Sequence, residues 1–148
     1  MQGQVSEQQD DIVDWLHFER SRSELGPGFI RILSYFREDG TKSVAQIEAA
    51  MHEQNTVALV IPAHTLKGEA RQFGAEPLAA VAELIESTAR MCVETRRFPD
   101  ELVEKVVELR RLFNRTVQMF DNATNPLQTR SGASGFGRKV GNQDFGRI

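Results

Sequence analysis

The chain has a single cysteine, Cys92, among 148 residues, so no internal disulfide is available. The residues around it lack the companion ligands that a zinc site needs. No apolar run approaches membrane-spanning length, and the opening MQGQVSEQQDD has no basic region followed by an apolar stretch. Positive charge is not in excess: 18 Lys and Arg stand against 21 Asp and Glu, a net charge of −3. That leaves no broad cationic footprint with which to neutralise nucleic-acid phosphates. No segment alternates with the period of two expected of a half-buried strand, and no glycine-rich nucleotide loop follows one. The expectation is a cytoplasmic protein in a reducing setting, with neither membrane nor nucleic acid as a partner.

What is present is helical periodicity. Hydrophobic residues make up 40% and charged residues 26%, the balance of a globular domain, and the length suits one domain. A first helix is predicted over Gln9 to Glu24, with Ile12, Trp15, Leu16 and Glu19 at one-turn intervals. It stops at the breaker cluster Leu25-Gly26-Pro27-Gly28. A second takes Pro27 into its first turn and carries the stripe Phe29, Leu33, Phe36, Val44, Ile47 and Met51. Gly40 falls in phase with that stripe, which favours one continuous helix over a turn at Asp39-Gly40-Thr41.

A third helix, capped by Asn55 or Thr56, buries Leu59, Ala63, Leu66, Ala70 and Phe73 and ends at Gly74. Pro62 inside it should kink the helix or make its first turn irregular. A fourth opens near Pro77 and buries Leu78, Val81, Ala82, Ile85, Ala89 and Cys92. A fifth opens at Pro99-Asp100-Glu101 and buries Leu102, Val106, Leu109, Phe113, Val117 and Phe120. Short connections imply an all-α, antiparallel up-down four-helix bundle with an additional short N-terminal helix. The expected organisation is a flexible N-terminus over 1–9, the bundle over 10–120, and a glycine-rich flexible tail over 121–148. In the tail Phe136-Gly137-Arg138 recurs as Phe145-Gly146-Arg147, either by chance or as a short docking peptide.

One helical face differs from the rest. Steps of three and four place His64, Lys67, Gly68 and Arg71 on a common stripe outside the core phase. A neutral imidazole offers a nucleophilic lone pair near neutral pH. Lys67, one turn on, is within reach of phosphoryl oxygens on that ring, and Arg71 could touch the phosphate or steer an acidic partner. Gly68 lowers helix stability by about 1 kcal/mol relative to alanine, which suggests clearance for a partner pressed onto the imidazole. Val57, Val60 and Ile61 continue the stripe as apolar residues outside the core phase. They form either a docking patch or a surface covered by the first helix. His17 and His52 read as incidental polar residues, and Glu83, Glu86 and Arg90 as a solvated face bordering the site.

The segment Ala63-His64-Thr65-Leu66-Lys67-Gly68-Glu69-Ala70-Arg71-Gln72-Phe73-Gly74-Ala75 strongly resembles the signature of histidine-containing phosphotransfer (HPt) domains. In that signature histidine is followed by leucine, lysine, glycine, a small residue, and then an apolar residue with glycine. The resemblance spans about residues 10–120. It implies that His64 is the phosphoacceptor, that Lys67 stabilises charge and that Gly68 gives clearance, on a phosphoryl carrier rather than an enzyme. Implied partners are receiver domains, of a hybrid histidine kinase and of a downstream regulator, docking at Val57, Val60, Ile61, Gly68, Glu86 and Arg90. The implied protein is a monomer with no metal or cofactor of its own, the Mg²⁺ belonging to the receiver. Glu86 departs from the pattern, because several relatives carry an amide side chain there; Arg90, one turn later, could compensate. Two other readings are a histidine-kinase dimerisation fragment, for which no ATP-binding region is found, and an HPt-like bundle that binds a receiver without transferring phosphate. The presence of both His64 and Lys67 argues against the last.

Overall fold

The computed structural model describes residues 12–125, and among them every regular element is helical. The helices are α1 (Trp15–Leu25), α2 (Phe29–His52), α3 (Val57–Gln72), α4 (Glu76–Thr95) and α5 (Val103–Thr124), with short 3-10 turns at Gly26–Gly28 and Asp100–Leu102. Helices α2 to α5 form the antiparallel up-down four-helix bundle, and α1 is the additional N-terminal helix. The expected flexible ends and both Phe-Gly-Arg copies lie outside the described residues, apart from 121–125. One compact unit ends at Thr116 and a second begins at Val117. In the second, the helix runs on to Thr124, past the boundary expected at residue 120; Phe120 is buried and Val117 half-buried.

Local signals explain where the helices start and stop. Asp14 holds an extended conformation and its Oδ1 accepts from the His17 backbone N–H at 3.2 Å, capping α1. That break before Trp15 resets the phase expected for the first helix. Val13, Phe18 and Ser21 are the buried residues here, whereas Leu16 is 71% exposed. Pro27 sits in the 3-10 turn that feeds α2 rather than inside its first turn. Asn55 caps α3, its Oδ1 accepting from the Ala58 N–H at 3.2 Å, while the Thr56 hydroxyl donates to Arg97 O. Pro62 is accommodated within a continuous α3, whose first turn includes a 3-10 type bond from Leu59 N to Thr56 O at 3.1 Å. Gly74, at φ +83°, ends α3 as a left-handed stop.

The α2 helix does run through Gly40, which is buried. A Cβ there would collide with the ring of Phe113 on α5, so the missing side chain lets the two helices close together. Around this contact the aromatic rings form a chain of edge or tilted contacts. It runs from Phe18 to Phe29 (5.3 Å), Phe29 to Phe73 (5.8 Å), Phe73 to Phe36 (5.6 Å) and Phe36 to Phe113 (5.8 Å). Each such pair is worth about 0.5–1.5 kcal/mol beyond its buried area. The chain ties α1 and the C-terminal end of α3 to α2 and α5. Backbone contacts reinforce it: Asp14 N–H donates to Gly74 O at 2.8 Å and the Ser21 hydroxyl to Gln72 O at 2.6 Å. The N-terminal helix therefore packs at the C-terminal end of α3 and leaves the N-terminal half of that helix uncovered.

Candidate functional site

Because Leu59, Ala63, Leu66 and Ala70 turn into the core, the opposite side of α3 is presented to solvent. His64 stands on it with its side chain 57% exposed. Val57 and Ile61, 65% and 67% exposed, lie two turns and one turn before it, and Val60 is half-buried. The first helix does not cover them, which settles that alternative in favour of an open apolar patch. Beside Ile61 an apolar groove runs between α2 and α3, lined by Gln46, Ala49, Ala50, Ala58 and Pro62. One turn past the histidine, a Cβ on Gly68 would meet nothing within 4 Å. The glycine is therefore required neither by packing nor by its backbone angles, and its surroundings are open surface.

The centre of the site is Glu86. Its place on α4 is four residues from Ala82 and three from Ala89, both fully buried, and the residue is only 6% exposed. This corrects the expectation of a solvated face there. Ala63 and Ala70 on α3, with Ala79 and Ala82 on α4, keep the contact surfaces of both helices small, and the Glu86 carboxylate reaches across to α3. Its Oε2 lies 3.0 Å from His64 Nδ1 and its Oε1 lies 2.8 Å from Lys67 Nζ. From its own helix Arg90 adds Nε and Nη2 to Oε2 at 3.0 and 2.9 Å. Burial raises the carboxyl's pKa, but the opposing bonds from Lys67, Arg90 and His64 outweigh it and hold the group at about 2.

Two consequences follow from an ionised Glu86. A carboxylate only accepts hydrogen bonds, so the proton of neutral His64 resides on Nδ1 and the lone pair on Nε2. Lys67 and Arg90, sharing one counter-charge, leave the cluster one positive charge in excess. Arg71, expected to touch the phosphate or steer an acidic partner, pairs with Glu83 at 2.6 Å and with Glu76 at 3.6 Å. Its charge is compensated along the α3–α4 seam. His17 and His52 join none of this. Among the described residues no group of three His, Cys, Asp or Glu is arranged to hold a metal ion, and no helix is long and apolar enough to cross a membrane.

Sequence reasoning brought together His64, Lys67, Gly68 and the apolar patch, and placed Arg90 nearby. It missed Glu86 as the residue that binds them to one another. The available signal was the spacing of Glu86 from Ala82 and Ala89, which puts it at the edge of the buried arc of α4.

Comparison with known proteins agrees with this geometry. The Hpt domain family matches residues 31–119. The fold is similar to the crystal structure of histidine-containing phosphotransfer protein B from Pseudomonas aeruginosa PAO1, with a TM-score of 0.66 and 21% sequence identity, covering 76% of this chain and 93% of that one. No curated protein matches.

Proposed function

The chain belongs to the Hpt domain family, whose modules are phosphoryl carriers rather than catalysts, and we propose that it is a phosphorelay intermediate working through His64. In this reading a receiver domain carrying an aspartyl phosphate docks on α2 and α3, over Val57, Val60 and Ile61. The phosphoryl group moves in line to Nε2 of His64, and a second receiver later removes it. The donor receiver would belong to a hybrid histidine kinase and the acceptor to a downstream regulator. The Mg²⁺ and acidic pocket would be the receiver's, and the carrier would act as a cytoplasmic monomer.

The observation that carries the proposal is the pairing of His64 Nδ1 with Glu86 at 3.0 Å, on a side chain that is 57% exposed, with open space at Gly68 one turn on. A nucleophile oriented by a second group, with a cation next to it, is what phosphoryl transfer asks of a carrier whose partner supplies the metal. Lys67, held by Glu86, stands one turn from the imidazole and would meet the charge on the arriving phosphoryl oxygens. Arg90 would border the same space from α4. Arg71, already compensated by Glu76 and Glu83, would act on partner docking rather than on the phosphate.

Incubation with a phosphorylated receiver should place acid-labile, alkali-stable phosphate on the chain. His64→Ala should abolish it. Equal labelling of that variant would overturn the assignment, and normal receiver binding and signalling output from it would favour a binding role without transfer.

A further inference from the structure

We propose that Glu86 is a positioning residue that keeps the Nδ1 proton on His64 through phosphorylation, so that the phosphorylated ring remains a cation able to give its phosphoryl group away. The proposal rests on the carrier reading above and concerns the second half of the cycle, release. When neutral His64 attacks through Nε2, the N–P bond forms as the P–O bond to the donor aspartate breaks, and the aspartate carboxylate departs with the electron pair. The Nδ1 proton does not move, so the ring becomes a phosphoimidazolium cation 3.0 Å from the Glu86 carboxylate. On discharge a second aspartate's carboxylate oxygen attacks phosphorus, the N–P electrons return to the ring, and it leaves as neutral imidazole. If the Nδ1 proton were lost first, the ring would have to leave as imidazolate, a far more basic and poorer leaving group. A buried carboxylate beside Nδ1 opposes that loss.

The surroundings suit Glu86 to this role. A carboxylate that took the proton itself would defeat the purpose, but Lys67 at 2.8 Å and Arg90 at 2.9 Å keep it ionised. Other charged groups on α3 are engaged with partners of their own. On α3, Arg71 pairs with Glu83 and Glu76 of α4. Glu69, also on α3, is engaged with Asp39 of α2. Glu86 is thus the anion that meets the ring nitrogen directly. An amide at this position would accept the same hydrogen bond with no charge to oppose deprotonation, which is the chemical content of the departure seen in the sequence.

The test uses the whole chain, phosphorylated chemically with phosphoramidate, and follows loss of phosphate from His64 with pH in the wild type, Glu86→Gln and Glu86→Asp. One arm contains water alone and a second adds an unphosphorylated receiver with Mg²⁺. The rate should fall as the Nδ1 proton is lost, and in Glu86→Gln that fall should come at least about one pH unit lower, leaving release about tenfold slower above it. Glu86→Asp should restore part of the shift. Coincident profiles for wild type and Glu86→Gln would overturn the proposal. Should Glu86→Gln take up no phosphate, nitrogen NMR of the unphosphorylated wild-type imidazole decides: a proton on Nδ1 supports the proposal and a proton on Nε2 refutes it. The water arm needs no receiver, so failure here is distinct from failure of the relay, which the His64→Ala labelling experiment reads.

Discussion

Replacing Gly68 with alanine separates what the fold needs from what the site needs. Gly68 lies in the interior of α3 on an exposed face, and a methyl group there meets nothing within 4 Å. The substitution removes the excess backbone entropy of glycine and should stabilise the isolated chain by up to about 1 kcal/mol. In urea that is a rise in midpoint of about 0.5 M. A receiver pressed onto His64 would meet the new methyl group in a close-packed interface, where overpacking costs about 1–3 kcal/mol. Transfer from a phosphorylated receiver should therefore slow about tenfold or more. Gly40→Ala is the control with the opposite signature. The same gain in helix propensity is set against a collision with Phe113, whose ring is 3% exposed and already lies against Phe36. The chain should lose about 1 kcal/mol net and transfer at the wild-type rate. Urea unfolding and a radiolabelled transfer assay on both variants read the two effects. A Gly68→Ala variant that is more stable and transfers normally would refute the clearance role, and one that is less stable would refute the open surface.

Other expectations follow from particular contacts. Gly74→Ala places a Cβ 2.7 Å from Asp14 O at φ +83°, so it should destabilise the chain by about 1–3 kcal/mol in urea unfolding and loosen α1 from the end of α3. The Glu69 carboxyl is raised to about 7, by burial first and then by Asp39, so the folded chain holds a proton that the unfolded chain releases near 4.5. Its contribution is present at low pH and is lost as pH rises through about 7. Stability should decline over that window, and Glu69→Gln should flatten the decline in unfolding curves taken across it. Ile61→Asp changes an exposed residue, so stability should stay within about 0.5 kcal/mol while receiver affinity, read by calorimetry, falls about tenfold or more. An unchanged affinity would move the docking surface elsewhere.

Much of the bundle was legible because its core is written in one periodicity. The stripe of α3 turned inward as spaced, and Gly40 stayed in phase because a close-packed ring on α5 occupies the volume of its missing side chain. The first helix was misread in phase, since the extended residue Asp14 breaks a pattern that looked continuous and buries Phe18 rather than Leu16. At the site, His64, Lys67 and Gly68 were readable because they share one helix, where spacing alone determines the face. Glu86 was placed beside them only as a bordering residue, because its bonds to His64 and Lys67 depend on how closely α4 lies against α3, a distance set by alanines on both helices. Charge pairing was hidden for the same reason. The spacing of Arg71 on its own helix says nothing of the two glutamates of the next that hold it.

The central claim is that phosphate passes through His64. Its most direct test is a reconstituted relay of three components: a phosphorylated donor receiver, this chain, and a second receiver that does not exchange phosphate with the first. The account predicts that label reaches the second receiver only when the chain is present, and that His64→Ala stops it while leaving the donor phosphorylated. Label arriving at the second receiver through the His64→Ala chain at the wild-type rate would contradict it.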